Sequence, residues 1–313
     1  MAKFPSEIFG YYWKDDSKEA KAARKRRWCP FHNSKCFKKS RLVNYPFGVC
    51  TAHYAREEIA LCPRRFLERN LVFRDIAQHN FGSCNNILVF SEVGLSGIGN
   101  FDFVMVKHKP MSAELEDFAV IEFQTGQTTS TGRLVDAFKD FMKKGMMPKG
   151  ANYSFGINMY DIWKRTFTQI LNKGIILEKW RKKIFWVVQE PVFRYFQRKY
   201  RINMLDYDNT HSTVFALYDL KTSGKRLKLV STERLSSTID DLFDAFRTND
   251  DIPPVEDFMA RLKTKISTDM KLALRLDASA GYQSVDARRP TSTGRVREKS
   301  DEQDAKDQRE LFD

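Results

Sequence analysis

Two short apolar segments that contain acidic side chains constrain the fold of this chain most strongly. They span residues 101–106 and 118–124, and each is largely hydrophobic around its acid. A carboxylate is costly to bury unless hydrogen bonds or a cation compensate it, and a hard cation is the usual partner where two acids converge. The two segments therefore predict a pair of core strands that meet at a polar site.

Strand periodicity places these acids on shared faces. In an extended chain Asp102 points away from its phenylalanine neighbours, while Glu122 and Gln124 lie on one face about 6.6 Å apart. An antiparallel hairpin closed by residues 107–117 would bring Asp102 level with Glu122. Such a cluster suits one or two Mg²⁺ ions that assist hydrolysis of a phosphodiester bond. The alternative is that each acid is a solvated charge at a strand edge.

Composition favours a nucleic acid as the partner. The formal net charge of +13 indicates binding to a polyanion. The apolar runs are shorter than the roughly 20 residues that cross a bilayer, so nucleic acid is favoured over membrane. No apolar signal segment precedes the basic run at 21–27, and we therefore expect a cytoplasmic protein, in which disulfides are rare. A basic housekeeping protein is the alternative.

Four of the five cysteines lie within the first 62 residues. They are Cys29, Cys36, Cys50 and Cys62. In a reducing compartment, this clustering predicts a tetrahedral thiolate metal site. The gaps between them lack the closely spaced pairs of common zinc fingers, so scattered structural cysteines are the alternative. His32 and His53 could substitute as ligands.

Two basic segments are candidates for contact with DNA phosphates. The first surrounds the cysteines, and the second, at 194–201, interleaves basic and aromatic residues. The candidate contacts are Arg24, Arg26, Arg27, Lys38, Lys39, Arg194, Arg198 and Lys199. The alternatives are a solvated charge run for the first segment and an amphipathic structural helix for the second.

The remaining periodicities predict a mixed α/β sheet with one catalytic edge. Helical spacing indicates one helix that ends before Gly145 and another that ends at Gly174. Strands are expected at 184–188, 213–217 and 227–230, and a last helix opens at the two prolines 253–254.

Three regions follow from these patterns. Residues 1–70 form a basic N-terminal region with a four-cysteine metal site, and residues 71–276 form the core with the acidic strands. Residues 277–313 form a polar, charge-mixed tail that we expect to be disordered.

Taken together, these residues resemble the NotI-like restriction endonucleases, a branch of the PD-(D/E)XK nucleases. The resemblance is carried by the Cys-Pro-Phe sequence at 29–31, the Cys-Pro-Arg-Arg-Phe sequence at 62–66, and the Ile-Glu-Phe-Gln-Thr-Gly sequence at 121–126. It covers roughly residues 25–175. The fold that it implies is an α/β core of the PD-(D/E)XK restriction-endonuclease-like type, a mixed β-sheet flanked by helices, with a small N-terminal metal-binding region built on four cysteines.

The resemblance implies a homodimeric type II restriction endonuclease that cuts double-stranded DNA with Mg²⁺ at a palindromic, GC-rich site. A cognate DNA methyltransferase would belong to the same system, and the four cysteines would hold iron or zinc. Asp102 and Glu122 would be Mg²⁺ ligands, with Glu92 as the upstream acid of the site. Gln124 would occupy the position that is lysine in most of the superfamily. Because an amide takes up no proton at neutral pH, Gln124 would orient a water, and the metal-bound water would supply hydroxide.

Two other functions compete with this interpretation. One is a nuclease of DNA repair or recombination, and the other is a non-enzymatic, metal-stapled DNA-binding protein. Cleavage that requires Mg²⁺ separates an enzyme from a binder. Discrete DNA fragments, as opposed to a smear, separate restriction from general nuclease activity.

Overall fold

A six-stranded mixed sheet carries both acidic segments. The structure is a computed structural model that describes residues 2–200, 206–247 and 254–268, so the expected disorder of 277–313 lies outside the described residues. The strands of all the sheets in the described residues are β1 (Phe4–Ile8), β2 (Tyr11–Tyr12), β3 (Trp28–Cys29), β4 (Ser34–Lys35), β5 (Val49–Tyr54), β6 (Glu57–Ala60), β7 (Ile87–Leu95), β8 (Gly99–His108), β9 (Leu115–Gln124), β10 (Thr128–Thr129), β11 (Gly156–Ile157), β12 (Lys183–Gln189), β13 (Thr213–Ser223) and β14 (Arg226–Ser237).

Helices connect the parallel strands of the sheet and also occur elsewhere in the described residues. They are α1 (Lys18–Arg26), α2 (Leu71–Phe81), α3 (Thr131–Lys144), α4 (Met159–Gln169), α5 (Ile175–Lys179), α6 (Glu190–Lys199), α7 (Ile239–Arg247) and α8 (Val255–Thr268). The chain divides into two units, and among the described residues the first ends at Phe246 and the second begins at Arg247. Helix α8 belongs to the second unit, and the features below belong to the first.

The strand order of the main sheet is β14-β13-β12-β9-β8-β7. Strand β12 runs parallel to both β9 and β13, and the other neighbours are antiparallel. Parallel neighbours need long crossovers, and helices α3 to α5 and helix α6 provide them. The mixed α/β sheet flanked by helices is confirmed.

Strand β12 shows how both faces of the sheet are buried. Ile184, Trp186 and Val188 pack into the core beneath α3, α4 and α6, whereas Phe185 and Val187 pack into the core beneath α2. A strand that is covered on both faces reads as a continuous apolar run, which is how 184–188 reads in the sequence.

The hairpin of β8 and β9 has the predicted register. Phe103 pairs with Ile121, so the preceding residue of β8 comes level with the following residue of β9. The strands end at His108 and begin again at Leu115, so the turn is shorter than the predicted 107–117.

The helix that was expected to end at Gly174 does not end there, and this prediction was wrong. Helix α4 passes into a π-type turn, Ile170–Gly174, and continues as α5. Gly174 has ordinary helical angles and a backbone packed close to Ile239, where an added Cβ would lie 2.8 Å from that side chain. By contrast, α3 does end at Gly145, which takes the left-handed conformation.

The N-terminal region adds a second sheet with the order β2-β1-β5-β6 and a small ribbon of β3 and β4. This region lies within the first unit together with the main sheet, and the predicted boundary near residue 70 stays a prediction. Among the described residues, no helix has the length and apolar character that a membrane span requires.

Candidate active site

Asp102 and Glu122 come together across β8 and β9. The backbone N–H of Phe123 donates to Asp102 Oδ2 at 2.8 Å, and the N–H of Asp102 approaches Glu122 Oε1 at 3.4 Å. Each carboxylate is therefore held by the backbone of the opposite strand. Glu122 is only 1% exposed, whereas Asp102 is half-buried and lines an open cleft.

The two carboxylates resist ionisation in the protein alone. The pKa of Glu122 is raised from its ordinary value of 4.5 to about 7, first by burial and then by the charge of Asp102, while the ammonium of Lys173 opposes the rise. Burial also raises the pKa of Asp102, and the charge of Glu92 adds to that effect. A cation placed beside both acids would favour their charged forms.

This donor set fits Mg²⁺ better than a cation that needs a complete protein cage. Among the described residues, no group of three or more His, Cys, Asp or Glu side chains is placed to hold a metal ion. Mg²⁺ is commonly held by one or two carboxylates together with substrate phosphates and water. Asp102 and Glu122 match that pattern.

Gln124 lies next to Glu122 on the same face of β9, and α4 holds its amide at both ends. Thr166 Oγ1 donates to Gln124 Oε1 at 2.9 Å, and Gln124 Nε2 donates to Gln169 Oε1 at 2.9 Å. The amide is therefore fixed in orientation, with one N–H and one lone pair left after these two bonds.

Lys173 is a site residue that the sequence analysis did not identify. It lies on the π-type turn, is 6% exposed, and its Nζ donates to Glu122 Oε1 at 2.7 Å. The sequence carries a pattern that could have identified Lys173, because three polar residues recur at positions i, i+3 and i+7, which lie on one face of a helix. Those positions are Thr166, Gln169 and Lys173.

Glu92 lies on β7 at the rim of the same cleft. Its φ of 55° is left-handed, and it is skipped in the pairing of β7 with β8, where Ser91 pairs with Phe103 and Val93 pairs with Phe101. This irregularity places an exposed carboxylate at the cleft that Asp102 lines. Its role as a catalytic acid stays a prediction.

The cleft has a volume of about 960 Å³ and a mixed charge. Its acids are Glu92, Asp102 and Asp161, and its cations are Arg64, Lys164 and Arg165. Cations and carboxylates thus line one cleft, which is an arrangement that suits a phosphodiester.

A second groove of about 620 Å³ shares Thr125 and Arg165 with the cleft. Two exposed cations of the cysteine region, Lys39 and Arg41, line it together with hydroxyl side chains such as Thr128. The cleft and the groove thus adjoin, and both are lined with cations.

The four clustered cysteines line one small cavity of about 160 Å³. These side chains are Cys29, Cys36, Cys50 and Cys62, whereas Cys84 is exposed elsewhere. Burial raises the pKa of the first three thiols, so a thiolate there would need a cation nearby. Sulfur donors are the ligand type that zinc and iron take, but no three of the described His, Cys, Asp or Glu side chains stand close enough together to hold a metal ion. The two histidines that were alternative ligands lie elsewhere: His32 lines the cleft, and Nδ1 of His53 is hydrogen-bonded to Glu58.

Arg64 connects the cysteine cavity with the cleft, because it lines both. Its guanidinium lies 3.1 Å from the centre of the Phe37 ring, and no described residue accepts a hydrogen bond from its Nη1. Phe37 is 57% exposed. The cysteine region therefore presents a cation and an aromatic ring to the cleft.

Two of the predicted DNA contacts are used inside the fold. Arg24 donates to the carbonyls of Asp15 and Tyr12 at 2.7 and 2.8 Å. Lys38 donates to the carbonyls of Val49 and Leu61 at 2.8 and 2.9 Å, directly before two of the cysteines. Both side chains thus have hydrogen-bond partners inside the fold, and their contact with DNA stays a prediction. Arg26 and Lys39 are exposed, and Arg27 lies over the Tyr45 ring.

Residues 194–199 of the second basic segment form the end of α6, as its structural alternative predicted. Tyr195 and Phe196 are buried in the core. Arg194 is bound to Glu190 and Glu233, the latter at 2.5 Å. Lys199 lies over the rings of Tyr160 and Tyr195, and Arg198 also has an interaction within the chain. DNA contact by this segment stays a prediction.

Comparison with known proteins identifies a family for this chain. A family model described as restriction endonuclease NotI matches residues 14–230. The match includes the four clustered cysteines, both acidic strands and the π-type turn. A search of curated protein sequences found no match.

Proposed function

Because this chain belongs to the NotI restriction endonuclease family, we propose that it is a type II enzyme that makes Mg²⁺-dependent double-strand cuts in DNA. One observation carries the assignment of the active site. Asp102 and Glu122, two carboxylates from neighbouring strands, are hydrogen-bonded to each other's backbone beside an open cleft that cations line. The arrangement of Asp102 with Glu122-Phe123-Gln124 is the variant of the PD-(D/E)XK site that we propose.

The acids would hold Mg²⁺, which when bound supplies an acidified water and neutralises charge on the phosphate. The side chains of this chain do the positioning. Asp102 accepts the Phe123 N–H through Oδ2, which leaves Oδ1 for the cation. Gln124 cannot act as a general base, and its amide, fixed by Thr166 and Gln169, has one N–H left to orient a water.

The cleft and the adjoining groove would form the path of the DNA backbone. Arg64, Lys164 and Arg165 would contact phosphates near the cut, and Lys39 and Arg41 would contact phosphates farther along the strand. Cations bound to phosphates position the duplex without reading its sequence. Further candidates for such contacts are Arg26, Arg27, Arg194, Arg198 and Lys199.

A homodimer and a palindromic site follow from the need to cut two strands. Each copy carries one Asp102–Glu122 pair, and a two-fold axis would place two pairs symmetrically on the duplex. A GC-rich recognition site is part of the proposal because of the family resemblance. A cell that holds this activity must protect its own sites, so we expect a cognate methyltransferase in the same system.

The four cysteines would hold iron or zinc and shape the N-terminal edge of the cleft. Four sulfur donors lining one cavity support this assignment. The site would act on DNA binding through Arg64 and Phe37, since Arg64 borders both cavities.

Digestion of a sequenced plasmid by the purified protein tests the proposal. Mg²⁺ should give discrete fragments with uniform ends, and Ca²⁺ should permit binding without cutting. Sequencing the ends would identify the site and its symmetry. A smear would favour a repair or recombination nuclease, and binding without any cleavage in Mg²⁺ would favour a metal-stapled DNA-binding protein.

A further inference from the structure

Helix α4 and the π-type turn after it lie along β9 in register with its polar residues. Thr166 and Gln169 bind Gln124, and one turn later Lys173 binds Glu122. Two successive residues on one face of the strand are thus held by successive residues on one face of the helix. This pairing places a cation on Glu122 and only neutral groups on Gln124.

Lys173 lies within the π-type turn. A π turn contains about one residue more than an α-helical turn. The turn Ile170–Gly174 contains Lys173 as its fourth residue and continues directly into α5. Such turns occur frequently at functional sites.

The ammonium of Lys173 is held on two sides inside the protein. It donates to Glu122 Oε1 and to the backbone carbonyl of Asn100, each at 2.7 Å. Its distance to the centre of the Phe101 ring is 5.3 Å. Asn100 and Phe101 directly precede Asp102, so Lys173 ties the strand of one carboxylate to the side chain of the other.

Both hydrogen bonds to Glu122 fall on the same oxygen. Lys173 Nζ and the Asp102 N–H each point to Oε1. That arrangement fixes the rotation of the carboxylate and leaves Oε2 as the oxygen to which a cation could bind.

We propose that Lys173 is a positioning residue that orients Glu122 Oε2 toward the catalytic cation. The inference rests on the proposed function, because it assumes that Glu122 binds Mg²⁺. Lys173 does not contact the DNA in this proposal. It acts through Glu122, so its loss should weaken cation binding and the cleavage step while DNA binding without metal stays unchanged.

The test compares Lys173→Met, Lys173→Arg and Lys179→Met with the wild type. Lys179 is an exposed lysine on the next helix and serves as the matched control. Calorimetric titration with Ca²⁺ in the presence of duplex DNA measures cation affinity without cleavage. Residues that hold a metal ligand typically change affinity or activity by 10- to 100-fold, so we expect a Ca²⁺ dissociation constant about 10- to 100-fold higher for Lys173→Met. Lys173→Arg should recover most of the loss, and Lys179→Met should match the wild type.

A purely structural lysine would give a different pattern. Lys173→Met would then unfold at a lower temperature but bind Ca²⁺ with wild-type affinity, and that result would overturn the inference. If Lys173→Met does not fold, Lys173→Ala also removes the donor and should show the same weakened Ca²⁺ binding. A wild-type protein that neither binds Ca²⁺ nor cuts DNA would overturn the proposed function as well, whereas a cutting wild type with unchanged Lys173 variants would overturn only this inference.

Discussion

The N–H of Asp102 points at the carboxylate of Glu122, and the N–H that follows Glu122 points back at the carboxylate of Asp102. The two acids are therefore one unit that the β8–β9 hairpin builds. Neither carboxylate can shift without disturbing a hydrogen bond to the other strand. This coupling makes both acids sensitive to conservative substitution.

Glu122→Gln or Asp102→Asn should abolish cleavage while leaving DNA binding intact. Loss of a charged metal ligand removes several kcal/mol of transition-state stabilisation, which corresponds to a rate lower by at least about 100-fold. Single-turnover cleavage in Mg²⁺ and filter binding in Ca²⁺ provide the two measurements. Glu114→Gln is the control, because Glu114 lies in the exposed turn of the same hairpin. Either active-site variant keeping more than about a tenth of the wild-type rate would contradict the assignment.

The stability of the metal-free protein should fall with rising pH because of Glu122. Its folded-state pKa of about 7 is raised above the ordinary 4.5, so the folded state holds this proton more tightly than the unfolded state. The contribution to stability is fully present below pH 4.5 and is lost as the pH rises to about 7. Urea unfolding in EDTA over the range from weakly acidic to weakly alkaline pH should show the wild type losing stability relative to Glu122→Gln, with the difference levelling off above the folded-state pKa. A difference that does not change with pH would argue against the shifted pKa.

The sequence predicted the hairpin well because strand period and burial agree there. The period of two in β9 puts Glu122 and Gln124 on one face, and Asp102 of β8 comes level with Glu122. The apolar neighbours of these residues allow only one register of the two strands. The same holds for 184–188, whose unbroken apolar run reflects burial on both faces. These inferences need only local pattern and chain direction.

Lys173 was missed although the sequence carries its polar stripe with Thr166 and Gln169. The glycine that follows it suggested the end of a helix, whereas the helix continues through a π-type turn. Lys38 and Arg24 illustrate a related limit, because a basic residue in a sequence carries no sign of which carbonyls its donors will meet. Both side chains point into the protein, where they donate hydrogen bonds to backbone carbonyls of other strands and loops.

Replacing Cys29 or Cys62 by serine should release the metal of the cysteine site and weaken DNA binding. Burial raises the pKa of three of the four thiols, and a bound cation would offset the charge of their thiolates. Elemental analysis should find one iron or zinc per wild-type chain and none in the variants, which should also melt at lower temperature. Cys84→Ser is the control, since that thiol is exposed and outside the cavity. Wild-type protein purified without chelators that contains neither metal would refute the site.

Neutralising the groove should reduce the salt dependence of DNA binding. Each phosphate contact that is lost should lower the slope of log affinity against log salt concentration by about 0.9. The triple variant of Lys39, Arg41 and Arg165 to glutamine should therefore lower the slope by up to about 2.7 if each cation contacts one phosphate. Lys144→Gln is the control, because Lys144 lies at the opposite end of α3 from Thr131, which lines the groove. An unchanged slope in the triple variant would exclude the groove from the path of the DNA.

Two copies of the chain should bind one cognate duplex. A single Asp102–Glu122 pair can cut one strand at a time, whereas a symmetric pair of sites cuts both strands of a palindrome in one encounter. Sedimentation of the protein with a cognate duplex in Ca²⁺ should give a complex of two chains per duplex, and supercoiled plasmid in Mg²⁺ should become linear without accumulation of nicked circles. Mixing wild type with Glu122→Gln should produce heterodimers that nick one strand, so nicked circles should accumulate in the mixture. A one-to-one complex that still linearises the plasmid in a concerted step would contradict the dimer.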